Sequence, residues 1–118
     1  MGTFYLSFDM PVSVNQMYTR SKFGGVRLSD EARYWKEAAG LLAASQWEGK
    51  PPLDGRLCVT YHFFGTKMDW DNGCKLLGDA MNKIIYRDDS QVIQAHVYMH
   101  RKEGKDEPYV DVEIQTLG

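Results

Sequence analysis

The sequence has little of what marks a secreted or membrane protein. It has only two cysteines, Cys58 and Cys74, with no CxxC pair, so neither a disulfide scaffold nor a zinc site is indicated. No stretch approaches the roughly 18 consecutive apolar residues of a membrane helix. The first ten residues alternate apolar and polar side chains without a basic start, which predicts a strand and not a signal peptide. These absences favour a cytoplasmic protein without a membrane segment.

The sequence also lacks the positive charge expected of a nucleic-acid partner, since 14 basic residues face 16 acidic ones. Five of the acids lie between residues 69 and 89, namely Asp69, Asp71, Asp79, Asp88 and Asp89. When these five are set aside, 14 basic residues face 11 acidic ones, a surplus of three. Bound divalent cations would offset the five, so the remaining surface is mildly basic and permits phosphate binding.

The composition and the missing motifs narrow the classes of protein. With 118 residues and 43% hydrophobic content, the chain predicts a single domain, residues 1–118, with an ordinary core. It has no repeat, low-complexity tract or linker. It also has no P-loop, GxSxG elbow or dinucleotide fingerprint, so NTP hydrolysis, acyl transfer and hydride transfer have no support.

Hydrophobic periodicity predicts an α/β (α+β) fold. Apolar residues alternate at 3–9, 55–64, 92–101 and 108–116, which predicts four strands, and Gly24-Gly25 indicates the turn of an extra hairpin. Helical spacing predicts two main helices, one from an N-cap at Ser29 to about residue 47 and one over 72–85. The order βαβαββ indicates one mixed sheet of about four strands with the helices packed on it.

The strongest local signal is Asp69-Trp70-Asp71-Asn72, which follows a predicted strand at the start of a helix. Lys75 comes one turn later, and Asp88-Asp89 follows the helix. Metal-dependent phosphodiester hydrolysis needs carboxylates around hard divalent ions, which activate water and stabilise charge on the reacting oxygens. The two pairs of aspartates predict such a site, and Lys75 could contact the scissile phosphate or orient the attacking water.

Each of these residues also has a structural alternative. An aspartate at the helix start could cap the helix, and the second pair could open a turn before the next strand. Lys75 and Asp79 could form an exposed i,i+4 pair. Taken together, these structural alternatives explain the pattern less well. A helix cap needs only one carboxylate, so capping leaves the other acids of the two pairs without a role.

The histidine and tryptophan side chains are expected to be structural, with one exception. On a strand, His96 and His100 would lie about 13 Å apart, too far to share a metal, and His62 is likewise expected to be structural. The three tryptophans are most simply packing residues. Trp70 is the exception, because its place between two aspartates would let it stack on a base.

Together these motifs resemble the RusA family of Holliday junction resolvases. The likeness covers nearly the whole chain, from Pro11-x-Ser13-x-Asn15 through Asp69-Trp70-Asp71-Asn72, Lys75 and Asp79-Ala80 to Asp88-Asp89-Ser90-Gln91-Val92. The resemblance implies phosphodiester hydrolysis dependent on Mg²⁺, or alternatively Mn²⁺. It also implies a homodimer and a frequent phage or prophage origin.

The resemblance also implies roles for individual residues. Matched by motif, Asp69, Asp71 and Asp89 are the metal-binding and catalytic carboxylates, Lys75 is the catalytic lysine, and Asp88 is a neighbouring metal ligand. Contacts to DNA are expected from polar and basic residues before Asp69, namely Asn15, Arg20, Lys22, Arg27 and Lys67.

The sequence therefore predicts a metal-dependent endonuclease that resolves four-way DNA junctions in recombination and repair. One alternative is a nuclease for other branched DNA. Another is a non-catalytic, metal-stabilised DNA-binding module, but binding alone would favour removing like charges near phosphates.

The spacing of the acids raises a question about the oligomer. A helix over residues 72–85 would be about 21 Å long, with acids before its start and after its end. Carboxylates on one Mg²⁺ must each lie about 2.1 Å from it, so opposite helix ends cannot share an ion. Either the helix breaks early, or a two-fold dimer with antiparallel helices pairs Asp69 and Asp71 of one subunit with Asp88 and Asp89 of the other. We predict the dimer with shared active sites.

Overall fold

The computed structural model describes residues 2–10, 18–20, 24–100 and 107–118. Its elements are β1 (Thr3–Asp9), β2 (Tyr18–Arg20), β3 (Val26–Leu28), α1 (Asp30–Trp47), β4 (Arg56–Phe64), α2 (Trp70–Met81), a 3₁₀ turn (Asp89–Gln91), β5 (Val92–His100) and β6 (Tyr109–Leu117). The mixed α/β class and the predicted order of elements are confirmed.

One four-stranded sheet organises the molecule, with strand order β1-β6-β4-β5. β6 pairs antiparallel with both β1 and β4, whereas β4 and β5 are parallel and are joined through α2. The predicted extra hairpin is present as β2 and β3, which form a separate two-stranded sheet.

The core lies between one face of this sheet and the two helices. Alternate residues of β1, β4 and β6 are buried with residues of α1 and α2. The largest fully buried side chains of the strands are Phe8, Leu57, Val59, Phe63, Val110, Val112 and Ile114. This alternation is what period-2 apolar patterns produce in a sheet covered on one side. The sequence pattern therefore determines which face carries the helices.

The first helix begins where its capping residue predicts. The Ser29 hydroxyl accepts a hydrogen bond from the Ala32 amide at 3.1 Å, and Asp30 and Glu31 lie in the first turn, at the positive end of the helix dipole. The helix ends at Trp47, and Glu48 takes a left-handed conformation. No helix in the described part of the chain is long and apolar enough to cross a membrane.

The second helix is shorter than the sequence predicts. The predicted bounds of 72–85 are wrong, because α2 spans Trp70–Met81. Asn82 is extended and Lys83 has a φ of 71°, and the Lys83 amide donates to the Tyr86 carbonyl oxygen at 2.8 Å to close a turn. Ile84, which helical spacing from Ala80 and Met81 would bury, lies in this turn and is only partly buried, so its apolar character extended the predicted helix too far.

Candidate active site

The start of α2 lies unusually close to strand β4. A Cβ atom on Gly73 would lie 2.8 Å from Cε1 of Phe63, closer than real Cβ contacts allow. Glycine at this position therefore lets the first turn of the helix lie against the strand. Because Asp69 and Asp71 belong to that turn or precede it, the same contact fixes their backbone at the end of β4.

The two aspartates at the start of α2 are exposed, and Asp69 does not cap the helix. Asp69 occupies the N-cap position with φ −61° and ψ 138°, yet its side chain makes no capping hydrogen bond. One carboxylate oxygen of Asp71 accepts a hydrogen bond from the Asn72 amide at 2.9 Å. The capping alternative for Asp69 is therefore wrong, and both carboxylates face solvent.

Asp88, in the second pair, has a structural role. Its carboxylate accepts a hydrogen bond from the Ser90 amide at 3.1 Å and caps the short 3₁₀ turn. Hydrogen bonds from the side chain and backbone of Ser90 hold the pKa of Asp88 below its ordinary value. The turn-opening alternative is thus confirmed for Asp88, although an exposed carboxylate retains lone pairs for a cation.

Gln91 anchors the loop that carries this second pair. Its side-chain oxygen accepts hydrogen bonds from the Arg87 and Asp88 amides at 2.8 and 2.9 Å. Its side-chain nitrogen donates to the carbonyl oxygens of Leu53 and Gly55, both at 2.9 Å. One amide side chain therefore ties the loop before β5 to the segment that enters β4.

A cleft of about 410 Å³ lies between α2 and the start of β5. It is lined by Tyr61, Cys74, Lys75, Gly78, Asp79, Tyr86, Asp89 and Val92. Lys75 and Asp79 are one turn apart on the helix, and the turn after Met81 brings Asp89 back toward them. The structure thus brings together Lys75 and Asp89, which the sequence singles out as catalytic, and adds Asp79.

The cleft is acidic, as the tyrosine on its wall shows. Burial raises the pKa of Tyr86, and the nearby carboxylates of Asp89, Asp79 and Asp88 raise it further. The Tyr86 hydroxyl donates a hydrogen bond to the Gly78 carbonyl oxygen at 3.0 Å. Tyr86 is therefore a protonated structural group beside clustered negative charge, a setting that favours a cation.

Cys74 lines the same cleft but is not a nucleophile. Burial, followed by the charge of Asp71, raises the pKa of its thiol to about 12. At neutral pH the thiol stays protonated, and only a thiolate attacks efficiently. The effect of Asp71 also shows that its carboxylate acts on the cleft from one turn away.

The described acids are of the kind that a hard divalent ion prefers, and two of them share one cleft. Mg²⁺ prefers oxygen ligands, keeps several waters and usually takes one or two carboxylates from a protein. Asp79 and Asp89 line one cleft, while Asp69 and Asp71 do not line it. Within the ranges that the structure describes, no three His, Cys, Asp or Glu side chains converge closely enough to hold a metal.

The predicted DNA contacts fall in different parts of the structure. Lys67 is exposed two residues before Asp69, and Arg27 lies in β3, 3.9 Å from the Asp30 carboxylate. Arg20 lies in β2, opposite Val26 of β3. Asn15 and Lys22 lie outside the described residues.

Histidines form a cross-strand arrangement that sequence spacing did not reveal. Nδ1 of His62 and Nε2 of His100 lie 3.0 Å apart on the sheet face away from the helices. The ring of His62 stacks on Tyr98, and that of His100 stacks on Phe64, with centroids 4.9 and 4.5 Å apart. Comparing His96 with His100 along one strand could not find this pair, because the contact joins two strands.

The fold and the cleft define a class of protein: a small α/β chain that gathers carboxylates and a lysine beside an exposed acidic helix start, as hydrolytic nucleases do. A family model described as endodeoxyribonuclease RusA matches residues 9–115. The chain therefore belongs to the RusA endodeoxyribonuclease family, whose members resolve Holliday junctions and generally depend on divalent metals. A comparison with curated proteins finds no match.

Proposed function

We propose that this protein is a Mg²⁺-dependent endonuclease that resolves four-way DNA junctions during recombination and repair. The observation that carries the proposal is the meeting of Lys75 and Asp89 in one acidic cleft with Asp79. On α2, Asp71 precedes the cleft residue Lys75 by about one helical turn. Mn²⁺ has similar ligand preferences and is the alternative ion. A cytoplasmic location and a phage origin stay predictions.

The proposed chemistry divides the work among these side chains. A divalent ion held in this site would supply an activated water and offset the charge that develops on the phosphate oxygens. Asp69, Asp71 and Asp89 would hold the ion, with Asp88 beside them. The ammonium of Lys75 would bind a non-bridging oxygen of the scissile phosphate, where it stabilises the transition state more than the bound substrate.

The family membership fits a homodimer, since paired cuts in a two-fold junction need two active sites. We propose that Asp69 and Asp71 of one subunit act with Asp89 of the partner subunit. α2 has 12 residues and is therefore about 18 Å long, with Asp69 before its start and Asp89 after its end. The early end of α2 also permits a one-chain site around Lys75 and Asp89, so the two arrangements need a direct test.

Mixing two inactive variants tests the sharing of sites. A heterodimer of Asp71→Asn and Asp89→Asn subunits has one intact site if the sites are shared, so single-nick activity returns. If each site is built within one chain, every site stays damaged and no activity returns. Heterodimer formation is checked by tagging the two subunits differently.

A nicking assay tests the function itself. Four-way, flap and linear DNA are each incubated with the protein, with and without Mg²⁺. We expect paired nicks in the four-way junction that require Mg²⁺. Equal cutting of flaps would indicate a nuclease for branched DNA in general, and binding without cutting would indicate a non-catalytic module.

A further inference from the structure

Strand β5 has an open edge that is suited to pairing. Among the described residues it pairs with β4 on one side only, and it ends the sheet order β1-β6-β4-β5. Its nine residues, Val92–His100, include no proline and no Asp, Glu, Lys or Arg. Many edge strands that avoid association carry such residues. A register shift against β4 leaves Ile93 as an extra residue of β5, so the regular, uncharged edge runs from Gln94 to His100.

The helix-side face of β5 is apolar and only partly covered. A groove of about 380 Å³ there is lined by Trp70, Ala95, Val97 and Met99. Trp70 is 57% exposed, and Ile93, on the same face of the strand, is 51% exposed. An open edge and an exposed apolar face on one strand are typical of a protein interface.

We propose that the edge of β5 pairs antiparallel with β5 of a second copy of this chain, forming one eight-stranded sheet about a two-fold axis. The proposal rests on the homodimer in the proposed function and assigns its interface. A second copy fits because β5 is self-complementary. When the axis passes by His96, Ala95 faces Val97 of the partner subunit within the regular part of the strand, and no Asp, Glu, Lys or Arg lies opposite its own copy. Ile93, at the register shift, lies at the end of this paired segment.

This interface also brings the two active sites together. The acidic cleft and the apolar groove both lie between α2 and β5. In the proposed dimer, the cleft and the groove of each subunit therefore lie beside the β5–β5 interface. The β4 strands of the two subunits would be three strand spacings apart, about 14 Å, with the α2 helices above them antiparallel. The start of α2 in one subunit, with Asp69 and Asp71, then lies at the same end of the β5–β5 interface as Asp89 of the partner subunit. That is the arrangement shared sites require.

Cysteine cross-linking tests the pairing directly. In a Cys74→Ser background, His96→Cys should form a disulfide-linked dimer under mild oxidation, because residue 96 faces its own copy. A neighbouring register would instead cross-link through Gln94→Cys or Tyr98→Cys, which also supports antiparallel edge pairing. Tyr5→Cys, 74% exposed on the opposite edge strand β1, is the matched control. The proposal would be overturned if none of the three β5 variants cross-linked. It would also be overturned if the Tyr5→Cys control cross-linked to the same extent as the β5 variants.

A charge placed at the interface gives a second, reversible test. Ile93→Lys should raise the dimer dissociation constant at least tenfold in sedimentation, whereas Tyr5→Lys should leave it unchanged. Both residues are exposed, so neither change empties the core, and circular dichroism checks the fold. An unchanged dissociation constant for Ile93→Lys, or a wild-type protein that stays monomeric, would overturn the interface. A wild-type dimer that cuts no DNA would remove the proposed function and leave the interface result intact.

Discussion

The two aspartate pairs at the ends of α2 share the same residue type, but their side chains have different partners. At the start, Asp69 stands in a capping position without capping, and Asp71 is exposed. After the end, Asp88 caps a turn while Asp89 lines the cleft. A capping position therefore does not determine whether the carboxylate caps, and neighbouring acids can differ, with one capping a turn and the other lining a cleft.

The largest expected effect comes from removing an acid at the start of α2. Asp71→Asn should lower the cutting rate by on the order of 10³-fold, about 4 kcal/mol of transition-state stabilisation, because it removes a carboxylate that we propose as a metal ligand. Junction binding should survive or tighten, since a negative charge near phosphate is removed. Without metal the melting temperature should hold or rise. Wild-type cutting by the variant would contradict the assignment.

The second pair offers an internal control for the same comparison. Asp89→Asn should lower cutting by about 10²-fold or more, because this carboxylate faces the cleft. Asp88→Asn should keep activity within about tenfold of wild type, since an asparagine oxygen can still accept the capping hydrogen bond. Single-turnover rates of the two variants separate the roles, and equal losses would show that Asp88 is also needed for chemistry.

Lys75 lies between the two pairs and should act mainly on turnover. If it binds the reacting phosphate, Lys75→Ala should lower the single-turnover rate by about 10²-fold at saturating enzyme. Junction affinity should change much less, because the contact strengthens in the transition state. Nearly unchanged turnover would mean that Lys75 serves only as a surface partner of Asp79.

Much of the fold could be predicted from the sequence because the signals are local. Alternation in the strands and the Ser29 cap depend on neighbouring residues, and both predictions were confirmed. The end of α2 could not be predicted, because the left-handed conformation of Lys83 depends on a turn that Tyr86 completes. Ile85 is buried in either case, so hydrophobic pattern alone cannot distinguish the turn from a longer helix.

Only part of the candidate site could be predicted, because sequence motifs are local whereas the cleft joins residues of separate elements. The motifs identified Lys75 and Asp89, but not the cleft residues Tyr61, Cys74 and Tyr86, which reach it from separate elements. Neither tyrosine nor cysteine in those positions is a recognisable ligand pattern. The anchoring role of Gln91 also depends on carbonyl groups 36 and 38 residues away in the sequence.

A smaller effect is expected from the glycine that fixes the start of α2. Gly73→Ala should lower the free energy of unfolding by about 1–3 kcal/mol, because its Cβ would overlap the Phe63 ring. Gly78→Ala is the control, since its Cβ would be 3.8 Å from the Tyr86 hydroxyl, an ordinary contact. Urea denaturation measures both variants, and equal stability would show that the helix start adjusts freely.

The smallest expected effect is on the reactivity of the Cys74 thiol, which lies on α2. With a pKa of about 12, Cys74 has a thiolate fraction of about 10⁻⁴ at pH 8. Because the unfolded chain would ionise this thiol at lower pH, its contribution to stability is lost as the pH rises from about 9 toward 12. Asp71→Asn removes one cause of the shift and should modestly speed labelling by a thiol reagent. Unchanged labelling would place the Asp71 charge away from Cys74.

The turn between Met81 and Asp89 determines how the protein responds to ions in its surroundings. Because the turn is closed by backbone hydrogen bonds, Asp79 and Asp89 line one cleft in the folded chain. Repulsion between these two carboxylates lowers the free energy of unfolding. A cation that binds only the folded chain would raise the free energy of unfolding again. If the cleft holds the proposed divalent ion, we expect the melting temperature to rise with the ion concentration, and the ion would then protect the enzyme against unfolding as well as activate it.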